Sequence, residues 1–414
     1  MRLGEIRNAA ALANGRPLDG VRVLALEQMQ ALPYATQLLA RLGADVVKVE
    51  PPNGGDSGRG SRPAWTEPDG RQTGATFLRN NLGKRSVCIN LRDPRGRDLV
   101  LEMAKQFDVV AENSKAGSMA RLGLGYEDIA AAAPRAIYVS VSGFGNLHDT
   151  PYGSQPAFAP VVEAMSGIYE MKRAEGGRPS VAPVGALGDI GAALFATIGI
   201  LAALRHRDMT GKGQYVDIAM FDAMVAMTDI VTNFWSMGLR NGDLGPLIID
   251  PFQASDGWFI IQVGRETHFE QLVTTIGRPE FVSDPRFATR EGWVEHLEDV
   301  LRPAIESWAA QHTRAEACAA LGAAGVAAGP CYTDEEVVAD PHVAERGMLV
   351  EIPRPDGVAQ PVLTPGNPVK LSGAPEGPET APPRLGEHTD AVLAEVLGLD
   401  ADTLATLRAD GVIA

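Results

Sequence analysis

Residues 21–50 read VRVLALEQMQALPYATQLLARLGADVVKVE, and this stretch decides the fold class. Val21–Leu26 is a short, mostly apolar run, as expected of a strand buried on both faces. Pro33 suits the opening of a helix over Tyr34–Leu42, and Gly43 suits the stop that follows it. Asp45–Val49 is a second apolar run, ending at Glu50 and Pro51. Strand, helix and strand at this spacing form a βαβ unit, which implies a parallel sheet. A dinucleotide-binding fold is one way to use such a unit, with Glu50 on a ribose. That use needs glycines after the first strand so that a pyrophosphate can approach the helix, and Glu27-Gln28-Met29-Gln30-Ala31 has none.

Working outward, the alternation continues. Pro52–Pro63 is a glycine-rich loop carrying Arg59 and Arg62. Lys84 and Arg85 precede a predicted strand, Ser86–Asn90. Asp93 and Pro94 have the cap and first-turn chemistry of a helix running to Gln106. Asp108–Glu112 reads as a strand ended by Asn113, Met119–Leu124 as a short helical turn closed by glycine, and Ile137–Ser142 as a further strand. In an open parallel sheet, ligands lie outside the C-terminal strand ends. Gln30, Glu50 and Asn113 occupy such ends. Lys84, Arg85 and Arg121 have two readings, solvated surface charge or a hold on a phosphorylated ligand.

Beyond these strands, Ile190–Arg205 is apolar round its whole circumference and is expected to be a central, buried helix. Asp189 stands at its head, behind Gly185-Ala186-Leu187-Gly188. Asp is a preferred helix cap, worth about 1 kcal/mol. The partial positive charge of a helix N-terminus would equally keep a carboxylate ionised as a nucleophile. Local pattern leaves both roles open. Gln214–Ile218 alternates as a strand, and Ala219–Thr228 is a Met-rich helix whose methionines suit core filling. Pro251–Val263 reads as a hairpin turning at Ser255-Asp256-Gly257. Asp402–Ala409 reads as a short terminal helix.

The 414 residues allow two or more domains, and 45% hydrophobic with 21% charged residues is ordinary for a globular chain. A net charge of −15 argues against general nucleic-acid binding, though a local basic cluster could still hold an anion. Cys88, Cys318 and Cys331 lie far apart, so neither a disulfide framework nor a cysteine zinc site is expected. The first twenty residues lack the apolar core of a secretory signal. The longest apolar run, Ile190–Leu204, falls short of the roughly 20 residues that span a bilayer. A cytoplasmic protein is expected.

Several long segments in order resemble the family III CoA-transferases, the family that also contains formyl-CoA transferase, carnitine CoA-transferase and alpha-methylacyl-CoA racemase. They are Leu32–Asp56, Asn81–Gly96, Asp108–Ile129, Ala164–Glu170 (AMSGIYE) and Gly185–Ala223. The resemblance implies an α/β fold: a large domain with a doubly wound parallel sheet plus a smaller α+β domain, in an interlocked homodimer. The large domain would comprise residues 1–228 and 336–414, and the small one residues 229–335. It implies transfer of CoA from an acyl-CoA to a free carboxylic acid through a covalent aspartyl-acyl anhydride and an aspartyl-CoA thioester at Asp189. Coenzyme A thioester would be the substrate, with no permanently bound cofactor and no metal. Gln30, Ala31, Arg59, Lys84, Asn113 and Arg121 match CoA-contacting positions, and Phe158 and Gly188 would line the active site. A loop near Asn241–Pro246 would help shield it, and Trp235 with the Met-rich helix hints at an apolar acyl pocket.

One departure narrows the chemistry. Racemases of the family place a His-Asp pair shortly before the AMSG-like motif, and transferases place Tyr or Phe followed by an acid. Here Phe158 is followed by Ala159. The missing His argues against a racemase or epimerase, and the missing acid leaves Glu163 either as a substitute or as a surface helix residue. A CoA-binding, non-catalytic subunit of a heteromer is a third reading, against which Asp189 counts. His388, in the LGEHT segment, is expected to be structural.

Overall fold

A computed structural model describes residues 1–153, 155–170, 177–179, 181, 185–228, 233–238 and 245–414. The chain divides into two units, Met1–Asn241 with Ala344–Ala414, and Gly242–Val343.

The larger unit is built on six parallel strands: β1 (Arg22–Leu26), β2 (Asp45–Glu50), β3 (Lys84–Cys88), β4 (Val109–Glu112), β5 (Ile137–Ser142) and β6 (Tyr215–Ala219). Their order is β3-β2-β1-β4-β5-β6, so the winding reverses between β1 and β4. The parallel strands follow the βαβ spacing, and the doubly wound order is the one the family resemblance implies. Alternate residues feed two cores, and for that reason the strands read as continuous apolar runs rather than alternating ones. Val23, Ala25, Val46, Val109 and Val139 face one layer of helices. That layer contains α1 (Ala31–Arg41), α2 (Ala159–Met165), α3 (Leu187–Thr210) and α4 (Met220–Ala226). Leu24, Leu26, Val47 and Val110 face the other layer, formed by Pro94–Ala104, Tyr126–Ala132 and the returning C-terminal helices Thr389–Leu397 and Ala401–Ala409.

Helix α1 begins at Ala31, three residues before the predicted start, and every residue from Ala31 to Arg41 is buried. Helix α3 is longer than predicted and less enclosed. Its 24 residues reach a mean hydropathy of 2.0 over an 18-residue window, enough by length and composition to cross a membrane, and half of that window is buried. Ala192, Ala193, Ala196 and Ile200 pack inward, where small side chains let α1 approach closely. Leu194 and Ile198 on the opposite side are 43% and 61% exposed. An apolar circumference therefore did not mean burial on all sides.

The smaller unit is α+β. An antiparallel sheet of Ala327–Pro330, Gly257–Val263 and Ile248–Ala254 packs against the helices Glu266–Thr275, Arg302–Ala309 and Arg314–Ala323. The hairpin turns at Ser255-Asp256, and Gly257 has φ of 143°.

Candidate active site

The winding reversal leaves a crevice outside the C-terminal ends of β1 and β4, the usual ligand position in such sheets. Two turns border it. Gln28 donates its N–H to Asn113 Oδ1 at 2.9 Å, and Asn113 Nδ2 donates to the Gln28 carbonyl at 2.9 Å. Met29, between Gln28 and the cap of α1, is left-handed with φ of 62°, although it is not glycine. Such a residue costs on the order of 1–3 kcal/mol and persists only when its surroundings hold it. Here Asp56 holds it, accepting the Met29 N–H at 2.8 Å and the Gly58 N–H at 2.7 Å.

Beside these turns opens a cavity of about 320 Å³, lined among others by Met29, Gln30, Ala31, Asn113, Lys115, Phe158, Met220 and Asp189. The structure thus brings Gln30, Ala31, Asn113, Phe158 and Asp189 together on one cavity. Phe158, 68% exposed, precedes α2 in an extended conformation. Gly188 is buried and does not line the cavity, but a Cβ there would stand 2.7 Å from Val162 Cγ2 and 3.2 Å from Ala159 Cα. Only glycine lets the head of α3 approach α2 so closely.

Asp189 is the third residue of α3 and does not cap it. The cap position is Ala186, left-handed with φ of 48°. The oxygen that satisfies the head of the helix comes from elsewhere: Glu163 Oε1 accepts the Gly188 N–H at 2.9 Å. Glu163 is 3% exposed, and its other carboxylate oxygen accepts the Tyr169 hydroxyl. This overturns the surface reading of Glu163. Burial first, and then the negative charge of Glu163, push the Asp189 carboxyl up to about 6. Desolvation therefore raises the carboxyl above its ordinary value, yet at neutral pH it is still mostly ionised, as the nucleophile reading requires.

The basic residues are arranged differently from the expectation. Lys84 is fully buried and donates to Glu27 Oε1 at 2.6 Å, the Pro33 carbonyl at 2.8 Å and Asn81 Oδ1 at 2.9 Å. Those acceptors use all three ammonium protons. Burial lowers its pKa to about 8. Arg59 is also buried: it grips Glu50 with two bonds of 2.7 Å, donates to the Pro383 carbonyl at 3.1 Å and lies 3.6 Å over the Phe77 ring. Lys48 completes this interior network with Asp56 at 2.8 Å. Arg121 is exposed, donates to Ser118 Oγ at 2.9 Å and does not line the cavity. Lys84 and Arg59 thus hold the floor beneath the turns and have no face on the cavity. Spacing could not separate them from ligand-facing cations, because burial is a property of the packed sheet. Among the described residues the cation lining the cavity is Lys115, two residues past Asn113 at the same strand end, which was the available signal. The Met-rich helix contributes Met220 to the cavity and Met224 to the core, while Trp235 is 63% exposed. Asn241–Leu244 of the expected shielding loop lie outside the described residues. His388 Nδ1 accepts the Ser86 N–H at 3.2 Å, in keeping with a structural role.

A doubly wound sheet with a cavity at its switch point, and a part-buried carboxylate among the residues lining it, is the arrangement of an α/β protein with a ligand site at the strand ends. A profile of CoA-transferase family III matches residues 18–389. The succinyl-CoA–D-citramalate CoA-transferase of Chloroflexus aurantiacus is 36% identical, covering 96% of this chain and 98% of that protein. The succinyl-CoA:mesaconate CoA-transferase of Haloarcula marismortui is 35% identical over 93% of this chain and 98% of its own. The crystal structure of a CAIB/BAIF family protein from Brucella suis superposes with a TM-score of 0.79 at 35% identity, covering 92% of this chain and 100% of that one. The chain belongs to CoA-transferase family III and is an acyl-CoA:carboxylate CoA-transferase.

Proposed function

We propose that Asp189 is the covalent nucleophile of this transferase. Its carboxylate attacks the acyl-CoA carbonyl and expels CoA thiolate, giving a mixed anhydride. The thiolate attacks the aspartyl carbonyl and releases the first acid, leaving an aspartyl-CoA thioester. The acceptor carboxylate attacks that thioester and expels thiolate. The thiolate then takes the acceptor's acyl group, and Asp189 returns as carboxylate. Each hard exchange is divided into easier ones. The observation that carries the reading is a part-buried carboxylate, freed from capping, on the wall of the switch-point cavity.

Gln30, Ala31 and Asn113 are the proposed CoA contacts, with Lys115 added and Arg121 retained for the more distant phosphates. Lys84 and Arg59 act on CoA only through the turns they support. The donor is proposed to be succinyl-CoA and the acceptor a short dicarboxylate. Relatives carrying those substrates in their names support this. A homodimer in the cytoplasm is the proposed form, supported by the exposed Leu194 and Ile198 on α3.

Succinyl-CoA with hydroxylamine, followed by peptide mass spectrometry, tests the chemistry. Modification at Asp189, and an Asp189→Ala variant that binds CoA but transfers nothing, are expected. An active enzyme that gives no adduct at Asp189 would remove it as nucleophile. Acceptor screening by liquid chromatography tests the substrates, and α-proton exchange without an acceptor would point to racemisation instead.

A further inference from the structure

We propose that Glu163 is a positioning residue for the nucleophile: it caps helix α3 from the neighbouring helix α2, so that Asp189 is released from capping and presented to the cavity. This rests on Asp189 being the nucleophile.

The first turn of any helix carries N–H groups with no partner inside the helix. An aspartate near that turn ordinarily satisfies one with its own side chain. Were Asp189 to do so, its oxygens would be turned into the helix end. Three features prevent this. Ala186 at the cap offers only a methyl group, which accepts no hydrogen bond, and its left-handed backbone fixes the entry of the chain. Gly188 brings α3 against α2 so closely that a Cβ would meet Val162 and Ala159. Across that contact Glu163 reaches the Gly188 N–H at 2.9 Å, one residue ahead of Asp189. Tyr169 engages the other Glu163 oxygen, which fixes the carboxylate plane. Glu163 is nearly inaccessible and faces no part of the cavity, so it does not touch substrate. It stands a helical turn beyond Ala159, where an acid was expected.

The test measures single-turnover acylation of Asp189 by succinyl-CoA, by mass shift, alongside KM, CoA affinity and Tm. Glu163→Ala should slow acylation on the order of 10- to 100-fold, the usual cost of a misplaced reacting group, while CoA affinity changes little. Glu163→Gln keeps an oxygen for the Gly188 N–H and should restore acylation to within about fivefold of wild type, as expected where acceptor capacity matters more than charge. If Glu163→Ala proves unstable, Tyr169→Phe unlocks the carboxylate without removing it and should slow acylation with KM unchanged. Wild-type acylation rates in Glu163→Ala or Tyr169→Phe, or a Glu163→Gln as slow as Glu163→Ala, would overturn the proposal. Failure of the nucleophile assignment looks different: wild type itself would give no adduct at Asp189.

Discussion

Replacing Asp189 with Asn should abolish transfer and, at the same time, stabilise the protein at neutral pH. Burial and the charge of Glu163 raise the Asp189 carboxyl from the ordinary 3.8 to about 6. A carboxyl with a raised folded-state pKa binds its proton more tightly when folded than when unfolded. Ionisation therefore costs stability: the penalty is absent below about pH 4, grows as pH rises and is complete above about pH 6. The full interval corresponds to about 3 kcal/mol at 1.36 kcal/mol per pKa unit. Partial solvent access discounts this to about 1–2 kcal/mol. In a unit of this size that is a Tm gain of about 2–3 °C for Asp189→Asn near pH 7.5. The assay is thermal unfolding of both proteins between pH 4.5 and 8, with transfer measured in parallel. The gain should shrink steadily toward pH 4.5, where wild type is largely relieved of the charge. A Tm difference that is constant across pH, or that favours wild type at pH 7.5, would refute the account of a desolvated nucleophile. Retained transfer in the Asn variant would refute its role.

Other outcomes follow from the same geometry. The kcat/KM profile should lose activity as pH falls through about 6, because the nucleophile is the ionised Asp189. Glu163→Gln should move that limb to lower pH, leaving the larger contribution of burial in place; an unmoved limb would separate it from Asp189. Lys84→Met should leave Glu27 buried without its closest cation and cost about 3–5 kcal/mol in urea unfolding. A purely ligand-facing Lys84 would instead raise KM for acyl-CoA with little change in stability. Asn113→Ala removes both bonds to Gln28 and should lower kcat/KM about tenfold, with little change in Tm. An unchanged kcat/KM would show that the turn holds itself.

The candidate site was legible wherever function depends on chain direction and strand ends. Gln30 and Asn113 were legible because a βαβ reading places the end of each strand at a predictable edge, and the winding reversal then makes β1 and β4 neighbours; Ala31 came from the family resemblance. Phe158 and Asp189 came from motif resemblance and also reached the cavity. Lys84 and Arg59 were misplaced for one reason. A cation beside a strand end looks the same in sequence whether it points to solvent or into a network with Glu27 and Glu50. The cost of burying it is met by carboxylates at the strand ends, Glu27 just past β1 for Lys84 and Glu50 of β2 for Arg59.

What the amino-acid order determined by itself was the parallel α/β class, because runs apolar on both faces and a strand–helix–strand spacing admit few other arrangements. It also marked Asp189 as a residue with two available roles. Choosing between them needed the tertiary structure. Helix α2 had to approach α3 across Gly188 before Glu163 could supply the capping oxygen, and that contact is invisible in a stretch where 24 residues separate Glu163 from Gly188. Capping is a local hydrogen-bonding need that any nearby acceptor can meet. Once a distant carboxylate meets it, the local aspartate is left part-buried, with its pKa raised, on the wall of the cavity.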